Sequence, residues 1–178
     1  DGILGEEYGS VEGSSGLTWV LDPIDGTRAF LSGTPTWGCL IAVADAEGPL
    51  HGVIEQPYTG ERWSGGLSPA AFAGPHGPRP LATRPPRPLA EAILFSTFPE
   101  IGTAAERAAF GRVSAAARLT RYGLDCYAYG LLALGQIDLV IEAGLAPYDI
   151  CAPAAVVAAA GGVVTTWDGG PPGQGGAS

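Results

Sequence analysis

Lysine and methionine are both absent from this chain, and charged side chains of any kind make up only 15% of it. All nine basic residues are arginines, set against 18 acidic ones, for a net charge of -9. That balance disfavours non-specific association with nucleic acid or an anionic membrane surface. It suits cation binding, although many ordinary proteins are equally acidic. Cysteine is sparse and odd in number, with Cys39, Cys126 and Cys151 in no CxxC spacing. A zinc site and a disulfide framework are both poorly supported, and free thiols in a reducing compartment, the cytoplasm, are expected. No apolar run approaches the roughly 18 residues of a membrane span, and no charged-then-apolar leader opens the sequence. Without methionine and starting at Asp1, the chain reads as a piece of a longer protein, and residues 173–178 read as an interrupted loop.

What is present is apolar: 46% of the 178 residues, enough for a sizeable core in one domain or two small ones. Residues 1–16, rich in Gly, Ser and Glu, read as loop. A short buried strand is predicted over 17–21, a sharp turn over 22–27 and a short helix over 27–31. Strands are predicted over 37–44, 50–56, 62–66 and 70–73. Residues 74–88 hold six prolines and cannot run through a sheet interior. They divide the chain into a sheet-rich part, 1–88, and an α/β part, 89–178. In the latter, strands are predicted over 92–97, 119–122, 137–142 and 163–167. Helices are predicted over 103–117, 126–134 and 149–160, the last closed by Gly161 and Gly162. The pattern is mixed α and β, an α+β class.

The sharpest chemical signal is Asp22-Pro23-Ile24-Asp25-Gly26-Thr27. Two carboxylates three residues apart on a stiff turn can point into one space, where they repel unless a divalent cation joins them. Hard oxygen ligands favour magnesium, manganese or calcium. The Ile24 carbonyl is available as a further ligand. Gly26 and Thr27 then open a helix whose free N–H groups attract an anion such as phosphate. The plainer reading is a strand ending at Asp22 and a helix capped by Asp25. Glu6 and Glu7 alone read as solvated charge or as ligands. Asp149 alone reads as a helix N-cap, and Glu142 as a strand end or a polar group facing a cleft.

Three pieces in order resemble the inositol-monophosphatase superfamily: Gly5-Glu6-Glu7, the run from Trp19 to Thr27, and Tyr148-Asp149 followed by a small-residue helix and Ala160-Gly161-Gly162-Val163-Val164. Arg28-Ala29-Phe30, Arg121-Tyr122-Gly123 and Asp125-Cys126-Tyr127-Ala128-Tyr129-Gly130 resemble the histidinol-phosphate phosphatase branch. The resemblance implies a layered α-β-α-β-α sugar-phosphatase fold, here truncated at both ends, and a Mg2+-dependent phosphomonoesterase with two or three ions. Glu6, Asp22 and the Ile24 carbonyl would bind one ion, and Asp22, Asp25 and Asp149 a second. Glu6 and Thr27 would place and deprotonate the attacking water, for in-line displacement without a phosphoenzyme. Gly26 and Thr27 would hold phosphate, and Glu142, Arg121 and Asp125 would line the pocket for the alcohol. Glu7 would support from behind. The partner implied is a small phosphorylated alcohol, with neither nucleic acid nor membrane, and homodimers are common in such enzymes. The rival substrates are inositol phosphate, a sugar bisphosphate or an adenosine bisphosphate. The rival class is an inactive metal- or phosphate-binding piece.

Overall fold

A computed structural model describes residues 1–172, and the loop expected at 173–178 lies outside them. Eight strands form one sheet in the order β2-β1-β3-β4-β5-β6-β7-β8. They are β1 (Gly2–Gly5), β2 (Gly9–Val11), β3 (Thr18–Asp25), β4 (Gly38–Ala44), β5 (Pro49–Gln56), β6 (Glu61–Gly66), β7 (Ala71–Ala73) and β8 (Arg79–Pro80). Alternation along these strands puts Val20, Leu40, Ala42, Ile54, Trp63 and Phe72 in the core. The opposite face carries Ile3, Trp19 and Ile41, each more than a third exposed.

Four of these strands differ from expectation. β1 and β2 occupy the segment read as loop. Their glycines and acidic residues carry little strand signal, and β1 is held by a parallel ladder to β3, with Ile3 opposite Trp19. β3 runs on through the expected turn to Asp25. Asp22 faces Leu40 and Asp25 faces Gly38, so three steps along β3 match two along β4, a bulge of one residue. β8 lies within the proline-rich stretch, at the sheet edge, where a missing N–H breaks no inner ladder.

The second sheet is parallel, in the order β10-β9-β11, from β9 (Ile93–Ser96), β10 (Leu119–Tyr122) and β11 (Leu139–Val140). Helix α2 (Ala104–Ala116) covers one face through Leu94, Ile101 and Phe110. Helix α3 (Asp125–Ala133) covers the other, where Ala128 meets Phe95 and Ile137. Helix α4 (Pro147–Ala159) joins α3 in the shared core with the large sheet. It approaches closely because its contact residues are small and a glycine faces them. A Cβ on Gly52 would lie 2.3 Å from the Ala152 carbonyl oxygen. The layers are therefore large sheet, α3 with α4, small sheet and α2: an α+β architecture. The strand expected over 137–142 is shorter, because only β9 pairs with it. Residues 163–167 are not a strand, since no described strand offers them a ladder. Among the described residues, no helix is long and apolar enough to cross a membrane.

Candidate metal centre

The bulge in β3 and the start of α4 meet at one point. Asp22 follows Val20 on the inward face and is 1% exposed. Its Oδ1 accepts the Ile24 N–H at 3.0 Å. Beyond the bulge, Asp25 turns to the same side, and its Oδ2 accepts the Cys126 N–H at 2.7 Å. Asp149 is the third residue of α4, after Pro147, and not the N-cap. Its carboxylate reaches back to accept the Ala146 N–H at 2.7 Å. One oxygen from each of Asp22, Asp25 and Asp149 lies within 4.8 Å of the others.

Among the described residues, no basic side chain forms an ion pair with these carboxylates. Burial pushes the Asp22 carboxyl up to about 8, helped by Asp25 and Glu6. Burial also raises Asp25 to about 6; hydrogen bonding from Cys126 pulls it back, while Asp125 and Asp149 push it further. Asp149 is raised as well, by burial first and then by Glu6. Three half-buried or buried carboxylates with mutual repulsion and only oxygen donors match a hard divalent cation such as Mg2+, Mn2+ or Ca2+.

Of the other expected residues, Glu6, Asp125 and Glu142 lie close enough to this centre to act on its carboxyls or be acted on by them. Glu6 sits in the exposed loop after β1, close enough to Asp22 for its charge to raise that carboxyl. It is not one of the three that meet within 4.8 Å. Glu7 beside it is exposed. The Ile24 carbonyl accepts the Thr27 hydroxyl at 3.3 Å, which leaves its second lone pair for a cation. Gly26 caps helix α1 (Thr27–Ser32) in the left-handed region, at φ 79°. A Cβ there would lie 2.9 Å from the Asp125 side chain. Asp125 itself is a non-glycine residue in the left-handed region, at φ 46°. Burial raises its pKa, and the Arg28 guanidinium pulls partly back. Glu142 is pushed up to about 7 by burial, with Asp125 and Asp25 adding to the shift. It accepts the Thr97 hydroxyl at 2.9 Å. Arg121 is exposed on β10, and its side chain makes no hydrogen bond or ion pair among the described residues. Sequence reasoning missed Thr97, the Cys126 link to Asp25, and Phe98, over which Arg28 lies at 5.3 Å. Nothing in the local sequence pointed to any of them.

The description "Inositol monophosphatase family" belongs to the family model that matches residues 1–176. The chloroplastic bifunctional phosphatase IMPL2 of Arabidopsis thaliana is 42% identical over 169 residues, covering 94% of this chain and 48% of the relative. A histidinol-phosphatase of Mycobacterium tuberculosis is 36% identical, covering 95% of this chain and 66% of the relative. An inositol monophosphatase from Zymomonas mobilis superposes with a TM-score of 0.87 at 38% identity, over 98% of this chain and 66% of that one. The chain thus spans between about half and two thirds of these relatives.

Proposed function

The chain belongs to the inositol monophosphatase family, and on that premise we propose that the protein is a divalent-cation-dependent phosphomonoesterase whose substrate is histidinol phosphate. Asp22, Asp25 and Asp149 would hold Mg2+, in two or three ions, with Glu6 beside them and the Ile24 carbonyl as a further donor. Bound there, the metal would neutralise phosphate charge and acidify water. The remaining work falls to the chain. Backbone N–H groups at Gly26 and Thr27 hold the phosphate. Glu6 takes the proton of the attacking water, which Thr27 orients. The water oxygen bonds to phosphorus as the opposite P–O bond to the alcohol breaks, a reaction dominated by positioning and electrostatics.

One observation carries the choice of substrate. Asp125 and Glu142 bring negative charge together beside the metal centre: Asp125 raises the Glu142 carboxyl, and the cation that offsets Asp125 among the described residues is Arg28. Two half-buried carboxylates favour an alcohol that brings its own cation. Histidinol phosphate carries an ammonium and an imidazole, whereas inositol phosphate carries neither. The Mycobacterium tuberculosis relative bears the corresponding name. A cytoplasmic site of action suits three free cysteines.

Phosphate release from histidinol phosphate and from inositol 1-phosphate, each with Mg2+ and with excess chelator, tests this. We expect kcat/KM to favour histidinol phosphate by at least about a hundredfold, since loss of one paired buried charge is worth roughly 3 kcal/mol. Chelator should abolish both activities. Equal rates, or a preference for inositol phosphate, would reject the substrate while leaving the reaction class standing. Metal binding with no turnover of either would favour a binding module.

A further inference from the structure

Helix α3 begins without a cap of its own. Leu124, at its N-cap, makes no side-chain hydrogen bond, and Gly123 and Asp125 on either side of it both have positive φ, 82° and 46°. A non-glycine residue in that region persists where its surroundings hold it there. Three ties from the large-sheet half do so. The Thr36 hydroxyl donates to the Gly123 carbonyl at 3.3 Å, and Asp25 accepts the Cys126 N–H. The third tie, at Tyr127, involves none of the metal-centre residues. The Tyr127 hydroxyl donates to Glu61 Oε2 at 2.6 Å, and the Thr59 hydroxyl donates to the same oxygen at 2.7 Å. The Tyr127 and Trp63 rings meet at 89°, with centroids 5.4 Å apart. Trp63 is wholly buried, and Glu61 pairs with Gln56 in the β5–β6 ladder, so both partners of Tyr127 sit on the sheet itself.

We infer that Tyr127 is a positioning residue: its bond to Glu61 docks the first turn of α3 on the large sheet and so sets the direction of the Asp125 carboxylate toward the substrate. Residues of one helical turn do not move independently. Tyr127 meets β6, Cys126 meets Asp25 and Asp125 meets Gly26, so loosening the first of these loosens the other two. The inference rests on the proposed choice of substrate, through the role of Asp125. It brings in two residues, Tyr127 and Glu61, that lie outside the acidic motifs and 66 positions apart.

Two measurements on the wild type, Tyr127→Phe, Glu61→Ala and Glu61→Gln test it. The first is hydrogen exchange of the Cys126 amide in metal-free protein, read by NMR. Tyr127→Phe and Glu61→Ala should speed that exchange by about tenfold, the typical worth of one hydrogen bond to a charged group. Amides in the middle of α4 should keep their rates, which separates a local loosening from a general one. Glu61→Gln, which keeps an acceptor for the hydroxyl, should stay near the wild type. The second is turnover with Mg2+. In Tyr127→Phe and Glu61→Ala, KM for histidinol phosphate should rise by about tenfold while kcat changes much less, and KM for inositol 1-phosphate should stay within about twofold. Unchanged Cys126 exchange in Tyr127→Phe overturns the inference. So does a Glu61→Gln variant as impaired as Glu61→Ala, or a fall in kcat shared equally by both substrates. A wild type that prefers inositol 1-phosphate would remove the substrate reading, and with it the role given to Asp125, whatever the exchange rates. A wild type that prefers histidinol phosphate, with KM unmoved in Tyr127→Phe, would remove the inference alone.

Discussion

Asp22 is the one charged side chain among the described residues that is almost wholly removed from solvent. Its carboxyl is pushed up to about 8 because burial and two acidic neighbours oppose its charge. Asp22→Asn therefore has opposite effects on function and on stability. The variant should lose phosphate release by about a thousandfold or more, the scale of removing metal stabilisation worth several kcal/mol. Its metal-free thermal midpoint at pH 8 should not fall, since the charge removed is one held against like charges. A colorimetric phosphate assay and a melting curve check the two halves; near-normal turnover at saturating Mg2+ would contradict the role assigned to Asp22. This residue and Asp25 were legible in the sequence because two carboxylates flanking a proline directly after an apolar run leave few other readings. Asp149 was legible only as a helix start, and its local signal pointed to an N-cap. Cys126 and Thr97 gave no signal, because their partners are 101 and 45 positions away along the chain.

Elements were legible where burial repeats locally. β4 and β5 alternate through Leu40, Ala42 and Ile54, and a period of two is visible without knowing the partner. β1 was not, because a ladder to residues 18–21 makes it a strand, not its own composition. Residues 163–167 show the reverse: their composition suits a strand, yet no described strand pairs with them. Small residues were the least readable and among the most consequential. Gly52 lets the backbone of α4 rest on β5, and α4 carries Asp149. Because a Cβ there meets backbone atoms at 2.3 to 2.9 Å, nothing nearby can rotate away. Gly52→Ala should destabilise the fold by about 2–3 kcal/mol, at the upper end for overpacking. It should also weaken Mn2+ binding by moving Asp149 away from the β3 bulge. Denaturant melts and a metal titration would detect these effects; an unchanged melt would mean that α4 sits further from the sheet.

For the whole molecule, the acidic centre sets how stability responds to pH and metal together. Asp22, Asp25 and Glu142 all titrate higher in the folded protein, at about 8, 6 and 7, than an exposed carboxyl does. Between roughly pH 4 and pH 8 the folded state then binds more protons than the unfolded one, so stability falls as pH rises through that window. Glu106 and Asp168 shift downward and act in the opposite sense, but they are exposed and their influence is confined to acid. Metal-free protein should therefore melt at a higher temperature near pH 5 than near pH 8. Mg2+ reverses this at pH 8, where the carboxylates are ionised and ready to bind it, and does little at pH 5, where protons occupy them. At a hundred times its dissociation constant, one ion adds about 2.7 kcal/mol, or roughly 5–10 °C for a chain of this size. Calorimetry at the two pH values, with Mg2+ and with chelator, reads both effects. A metal-free midpoint that climbs from pH 5 to pH 8 would mean that the centre is already neutralised by something other than a divalent ion.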